Sequence, residues 1–239
     1  MHVDLNVDLG ESPERWASGE DRELLAVVTS ANVCCGAYAG NEDLMRSTCA
    51  IAVGLGVAVG AQVGYPDRAG FGRLYMDMPS HDLTDEITRQ ILLLEDIAQS
   101  VGGHVAYVKP HGALYNNIVF DDVQAEAVVN ALVGFTRRVP LLGLPGSVSL
   151  SIAGAGGIPI VEEGFADRAY TPEGTLAPRG EPGAVVTDPA AVADQAVQLM
   201  QQGIRSICIH SDSPGALDLA RATRRALENE GATITGFYP

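Results

Sequence analysis

Residues 3–8 read VDLNVD, in which Val3, Leu5 and Val7 alternate with Asp4, Asn6 and Asp8. A period of two marks a strand. On an edge strand the polar face would simply be wet. In a closed barrel that face points inward, where a buried Asp or Asn must be paired or must line a site. Parallel barrels collect function at the C-terminal ends of their strands, so the strand-end position of Asp8 favours a site there, with Asn6 beside it.

Working outward from this strand, apolar β-rich runs alternate with helical periodicity along the whole chain, the pattern of repeated βα units around a parallel sheet. The sequence predicts seven or eight units. Their strands are Val3–Asp8, Thr29–Val33, Val57–Ala61, Val105–Lys109, Leu141–Leu144, Ile158–Glu162, Ser206–His210 and Thr233–Gly236. Asn41, followed by two acidic residues, is a helix cap, and Thr84-Asp-Glu opens another helix that is apolar at Ile87, Ile91, Leu94 and Ile97. Further helices start near Asp188-Pro189 and Ser213-Pro214. The Gly- and Pro-rich stretch Phe165–Pro182 is too long for an ordinary βα connection and reads as a binding loop or lid. No composition break divides residues 1–239, so one domain is expected.

The chain carries 15 Lys and Arg against 30 Asp and Glu, a formal net charge of −15, which repels nucleic acid and anionic lipid. The hydrophobic fraction of 46% suits a packed α/β protein. Cys34, Cys35, Cys49 and Cys208 contain no C-x-x-C pair and read as reduced thiols. The first residues have no basic and apolar leader, and no run approaches the roughly 18 apolar residues that span a membrane. A cytoplasmic protein is expected.

The residues just past each apolar run are polar: Asp8 and Glu11, Asn32 and Cys35, Gln62, Lys109 and His111, Glu162 and Glu163, His210 and Asp212. Taken singly, each is more often a solvated loop position than a catalytic one. The segment VKPHGALYN at 108–116 is the densest, with a cation, an imidazole, a phenol and the amide of Asn116. Lys109 can neutralise a phosphate or carboxylate, and His111 can transfer protons near neutral pH. Pro110 and Gly112 set a tight turn that aims both side chains. The run CIHSD at 208–212 delivers His210 and Asp212 together, ahead of a helix N-terminus able to accept an anion. Two Asp-Arg pairs, at 67–68 and 167–168, are weak signals, since such surface pairs are common. No dinucleotide fingerprint, P-loop, nucleophile elbow or H-E-x-x-H motif is present.

Six blocks together resemble the LamB/YcsF family, the A subunit of 5-oxoprolinase. They are DLNVDLGE at 4–11, TSANVCCGAYAG at 29–40, YPDRAGFGR at 65–73, VKPHGALYN at 108–116, GFADRAYTPEGTLAPR at 164–179 and CIHSD at 208–212. The resemblance covers nearly the whole chain in order. It implies an irregular seven-stranded (β/α) TIM-like barrel related to carbohydrate deacetylases. It also implies ATP-dependent opening of the lactam 5-oxo-L-proline to L-glutamate, with ATP and Mg²⁺ as cofactors and B and C subunits as partners. Carried over residue by residue, it makes Lys109 the phosphate or carboxylate partner and His111 and His210 the proton-transfer groups. Asp8 and Asp212 would orient those imidazoles or act as bases, and Arg168 and Arg179 would close over an anion. Asn6, Asn32, Tyr38, Gln62, Asn116, Glu163 and Asp167 complete the expected binding set.

The chain departs from this pattern twice. The family reads CGFHAGD where residues 35–41 read CGAYAGN, and GAHP where residues 60–63 read GAQV. Tyr38 and Gln62 therefore replace two imidazoles. Deacetylase-like barrels hold a divalent metal with an Asp and two His, which would correspond to Asp8, Tyr38 and Gln62. Neutral Tyr and Gln are poor transition-metal ligands, so no tightly bound transition metal is expected. Two alternatives stand beside the hydrolase: a diverged binding subunit that has lost turnover, and an amino-sugar deacetylase, which the missing histidines oppose.

Overall fold

A computed structural model describes residues 1–236. The strands are β1 (His2–Leu9), β2 (Ser30–Cys34), β3 (Ala58–Val63), β4 (Val105–Pro110), β5 (Leu141–Gly143), β6 (Ile160–Phe165), β7 (Ser206–Ile209) and β8 (Thr233–Ile234). The helices among the described residues are α1 (Pro13–Ser18), α2 (Glu20–Leu25), α3 (Glu42–Leu55), α4 (Ser80–Ser100), α5 (Gly112–Asn117), α6 (Asp122–Gly134), α7 (Val148–Ala155), α8 (Pro189–Gln201) and α9 (Ala216–Asn229). All strand pairings are parallel, and β1 pairs with both β2 and β7, which closes β1–β7 into a seven-stranded barrel. Short β8 attaches only to the start of β1, pairing His2 with Thr233 and Val3 with Ile234.

The alternation in β1 sorts its side chains between two environments. Val3, Leu5, Val7 and Leu9 join the apolar core between barrel and helices, together with Val59, Ile87, Ile91, Leu94, Val128 and Ile207. Asp4, Asn6 and Asp8 are equally buried but face inward. The barrel interior is thus polar and the hydrophobic core surrounds it. Burial of these aliphatic side chains, about 1.5–3 kcal/mol each, holds the layer together. Tyr107 fills the interior opposite Gly60, where a Cβ would meet the Tyr107 ring at 2.1 Å.

Local signals place most helices where the sequence does. The Asn41 side chain accepts from Leu44 N, and left-handed Gly56 ends α3; the Asp188 side chain caps α8 by accepting from Ala191 N. Several boundaries differ, among them the following three. Helix α4 starts at Ser80, four residues before Thr84, because extended Pro79 supplies the break that precedes its first turn. Helix α9 starts at Ala216, after Gly215 at φ 72°, so Ser213-Pro214 lies in the preceding turn. Strand β6 runs from Ile160 to Phe165, two residues later than predicted. That register buries Glu163 inside the barrel and leaves Glu162 exposed on the helix side.

Candidate functional site

The C-terminal mouth of the barrel opens into a cleft of about 380 Å³, floored by Asp8, Lys109 and His111 and walled by the 165–179 loop. Beneath it, inward side chains stack in layers. In the lowest, Asp4 accepts from Thr29 (2.7 Å), Ser30 (2.5 Å) and Ser206 (2.6 Å) hydroxyls. Burial nevertheless pushes its carboxyl up to about 6. Above it, Asn32 Nδ2 donates to Asn6 Oδ1 and to Asp8 Oδ1, both at 2.8 Å, and Asn32 Oδ1 accepts from Tyr107 at 2.6 Å. Asn32, itself held by Asn6 and Tyr107, therefore orients Asp8 from below.

Lys109 is 2% exposed. Its ammonium lies 2.9 Å from Glu163 Oε2 and 3.7 Å from Asp8 Oδ1, donates to Asn6 Oδ1 and Cys208 Sγ, and sits 4.8 Å from the Phe165 ring centroid. Burial disfavours the ammonium, but Cys208, Glu163 and Asp8 more than offset that and raise it well above its ordinary range. Burial likewise works against an ionised Asp8, yet Lys109, His210 and His111 hold its carboxyl low. Lys109 is consequently paired within the floor to two carboxylates of the protein itself, Asp8 and Glu163.

Both departures from the family pattern converge on His111. The Tyr38 ring stacks on the imidazole at 4.1 Å and 3°, and Gln62 Nε2 lies 3.1 Å from Nδ1. On the other side, Nε2 is 3.0 Å from Phe71 O. A carbonyl only accepts, so Nε2 carries the proton and Nδ1 keeps a lone pair. Burial pushes the imidazole down to about 4, which keeps it neutral. Phe71 is left-handed at φ 58°, a strained setting for a residue with a Cβ, and it delivers this carbonyl. Gly112 at φ 59° permits the chain to turn here, because a Cβ would fall 2.4 Å from Gly72 O. Buried Glu11 completes the group, with Oε1 3.9 Å from His111 Nδ1. Burial, with Asp8 and Asp212 nearby, pushes its carboxyl well up.

Across the cleft His210 has a different partner from the one expected. Its Nδ1 lies 2.9 Å from Asp167 Oδ1, while Asp167 Oδ2 accepts from His210 N (3.0 Å) and Ser213 Oγ (2.6 Å). The carboxylate fixes the proton on Nδ1 and leaves Nε2 as the basic nitrogen in the cleft wall. Burial would raise Asp167, but His210 and Ser213 lower it overall. Asp212 orients no imidazole. It bridges Arg73 and Arg179, 2.7 Å from each, and the two guanidiniums bring its carboxyl down to about 2 against the effect of burial.

Arg168 also differs from expectation: it donates to Ala184 O and Ala177 O, bracing the long loop rather than reaching out. Asn116 lines the cleft while donating to Gly112 O. Neither Asp-Arg dipeptide is an ion pair, since Asp67 accepts from Gly70 N and Leu74 N and Arg68 donates to Gly36 O and Gly40 O. Sequence reasoning passed over Arg73, which ends the block YPDRAGFGR, and Phe165, whose ring stacks on His210 at 5.2 Å. It also gave Glu11 no role, although Glu11 stood in the polar strand-end set. Among the described residues no helix is long and apolar enough to cross a membrane.

The family model described as LamB/YcsF family matches residues 3–239. A protein of Streptomyces avermitilis, named as the A subunit of 5-oxoprolinase, is 50% identical over 98% of this chain and 99% of its own length. A Mycobacterium avium protein of the same name is 44% identical, covering 98% of each chain. Among solved structures, the lactam utilization protein from Thermus thermophilus superposes with a TM-score of 0.91 at 38% identity, over 99% of this chain and 100% of that one. A family 4 carbohydrate esterase from Streptomyces lividans, at 16% identity and a TM-score of 0.52 over 99% of this chain and 92% of that one, shares the fold.

Proposed function

The chain belongs to the LamB/YcsF family, and from that premise we propose that it opens 5-oxo-L-proline to L-glutamate at the expense of ATP, in the cytoplasm, as the A component of a complex with B and C subunits. The names of its relatives support the lactam. The site supports it through one observation above the others: an Asp167–His210 pair opens onto a small cleft rimmed by arginine. An unstrained lactam is a poor electrophile. Transfer of the γ-phosphoryl of MgATP to the carbonyl oxygen creates a leaving group and an activated carbon. His210 Nε2 then takes a proton from water as it adds to that carbon and returns it to the ring nitrogen as the C–N bond breaks, which leaves a γ-glutamyl phosphate; a second water then displaces inorganic phosphate to give L-glutamate. Arg73 and Arg179 meet the phosphoryl oxygens, exchanging their shared carboxylate, Asp212, for the ligand.

The test is glutamate release from 5-oxo-L-proline by the chain with its B and C partners, with and without ATP and Mg²⁺, beside a Tyr38→His/Gln62→His variant. ATP-dependent glutamate from the unmodified chain supports the reading. Turnover by the variant alone makes this chain a binding component, and glutamate from neither removes the substrate assignment.

A further inference from the structure

We infer that Asp8, Glu11 and His111 form a divalent-cation site, distinct in composition from the Asp8, Tyr38 and Gln62 set weighed from the family resemblance. One donor atom from each residue lies within 4.8 Å of the others, and all three residues are at least nine-tenths buried. Tetrahedral coordination at about 2.1 Å separates donors by roughly 3.4 Å, so closing on an ion takes a contraction of up to about 1.4 Å. His111 Nδ1 and Glu11 Oε1, at 3.9 Å, are already near that spacing.

Two unpartnered oxygens point to a ligand, one within the cluster and one on the residue beside it. Glu11 Oε1 and Gln62 Oε1 are both buried without a hydrogen-bond partner. Such an oxygen costs about 1–3 kcal/mol, more when charged, unless something binds it. Lys109, the buried cation of the cleft floor, bonds Asn6 and Cys208 and pairs with Asp8 and Glu163, none of which is Glu11. Gln62 carries its unpartnered oxygen on the same amide whose nitrogen faces His111 Nδ1. A half-turn of that amide exchanges two nearly isosteric groups and presents Oε1 to an ion on Nδ1. Phe71 O, holding the proton on Nε2, is the outer support that aims the Nδ1 lone pair inward.

Two carboxylates and an imidazole, with an amide oxygen in reserve, suit Mn²⁺ or Zn²⁺ better than Ca²⁺, which prefers oxygen alone. The four buried cysteines contribute no donor to this cluster. The inference concerns occupancy rather than turnover and stands apart from the lactam reading.

The chelator-treated full chain is titrated with Mn²⁺, followed by electron paramagnetic resonance and thermal unfolding, with Zn²⁺ as competitor. Expected are one Mn²⁺ per chain at micromolar concentration, echo modulation from a directly bound imidazole nitrogen, a raised Tm, and displacement by Zn²⁺. Glu11→Gln should weaken binding by at least about 10-fold, and Gln62→His should tighten it. Absence of stoichiometric binding below millimolar Mn²⁺ overturns the site, as does unchanged affinity in folded Glu11→Gln. Should Glu11→Gln not fold, persistence of the nitrogen modulation in His111→Gln overturns it equally, and its loss supports it.

Discussion

Replacing Asp167 by asparagine preserves the side-chain shape while removing one acceptor, and the two oxygens of Asp167 are not equivalent. Oδ2 receives two donors, His210 N and Ser213 Oγ, whereas Oδ1 receives only His210 Nδ1–H. The single amide oxygen of the variant therefore settles in the Oδ2 place, and its NH₂ confronts Nδ1. That reverses the tautomer: Nδ1 becomes an acceptor and the proton moves to Nε2, the nitrogen that serves the cleft. A positioned general base contributes ~10²–10⁴-fold, so kcat should fall by that factor, about 3–5 kcal/mol of barrier. KM should change little, because His210 would act in proton transfer rather than in holding the substrate. The assay is ATP-dependent glutamate formation by the assembled complex, paired with ¹⁵N-resolved spectra of the His210 ring. Retention of the Nδ1–H tautomer in Asp167→Asn, or a reversed tautomer with full kcat, would refute the reasoning.

Three further outcomes follow from the barrel interior. The Asp4 carboxyl is raised from 3.8 to about 6 on folding, so its stabilising contribution is full below pH 4 and is lost as pH rises through 6. At ~1.4 kcal/mol per pH unit this amounts to about 3 kcal/mol, and the stability difference between wild type and Asp4→Asn in urea unfolding should drift by that order between pH 4 and 7; a flat difference contradicts it. Lys109→Met leaves Asp8 and Glu163 buried without their cation and should cost about 3–5 kcal/mol in denaturant unfolding, part of which Lys109→Met/Glu163→Gln restores. Gly112→Ala forces a Cβ to 2.4 Å from Gly72 O at a positive φ and should lower stability by about 1–3 kcal/mol, and a melting temperature equal to wild type would count against the turn geometry.

The repeated βα pattern was legible in the alternation of apolar runs with helical stretches, whereas the alternation in β1 fitted an edge strand as well as a barrel, and the seven-stranded closure came from the family resemblance; that closure gives Asp4, Asn6 and Asp8 partners on both sides. The convergence of Lys109, His111 and His210 on one mouth followed from their positions past apolar runs. The pairing among them did not. His210 and Asp212 are neighbours in sequence, yet the Asp212 carboxylate reaches Arg73 and Arg179, and the partner of His210 comes from Asp167, 43 residues earlier. Spacing along a strand reports which face a residue takes, but partners across a barrel depend on register between distant strands. The same limit hid the meeting of Tyr38 and Gln62 on His111, since the resemblance had grouped the pair with Asp8 instead.

Closure through β1 sets an order of events during synthesis. Strand β1 takes its second neighbour from β7, made much later, with Asp4 opposite Ser206 and Asn6 opposite Cys208 in register. At about 5–20 residues per second, the ribosome needs roughly 10–40 s to bring Ser206 into reach. Through that interval the sheet can grow from β1 to β6 but stays open, with one unpaired edge on each side. The growing barrel is therefore most vulnerable just before β7 emerges, and the segment that carries β7 acts as the clasp that retires both edges at once.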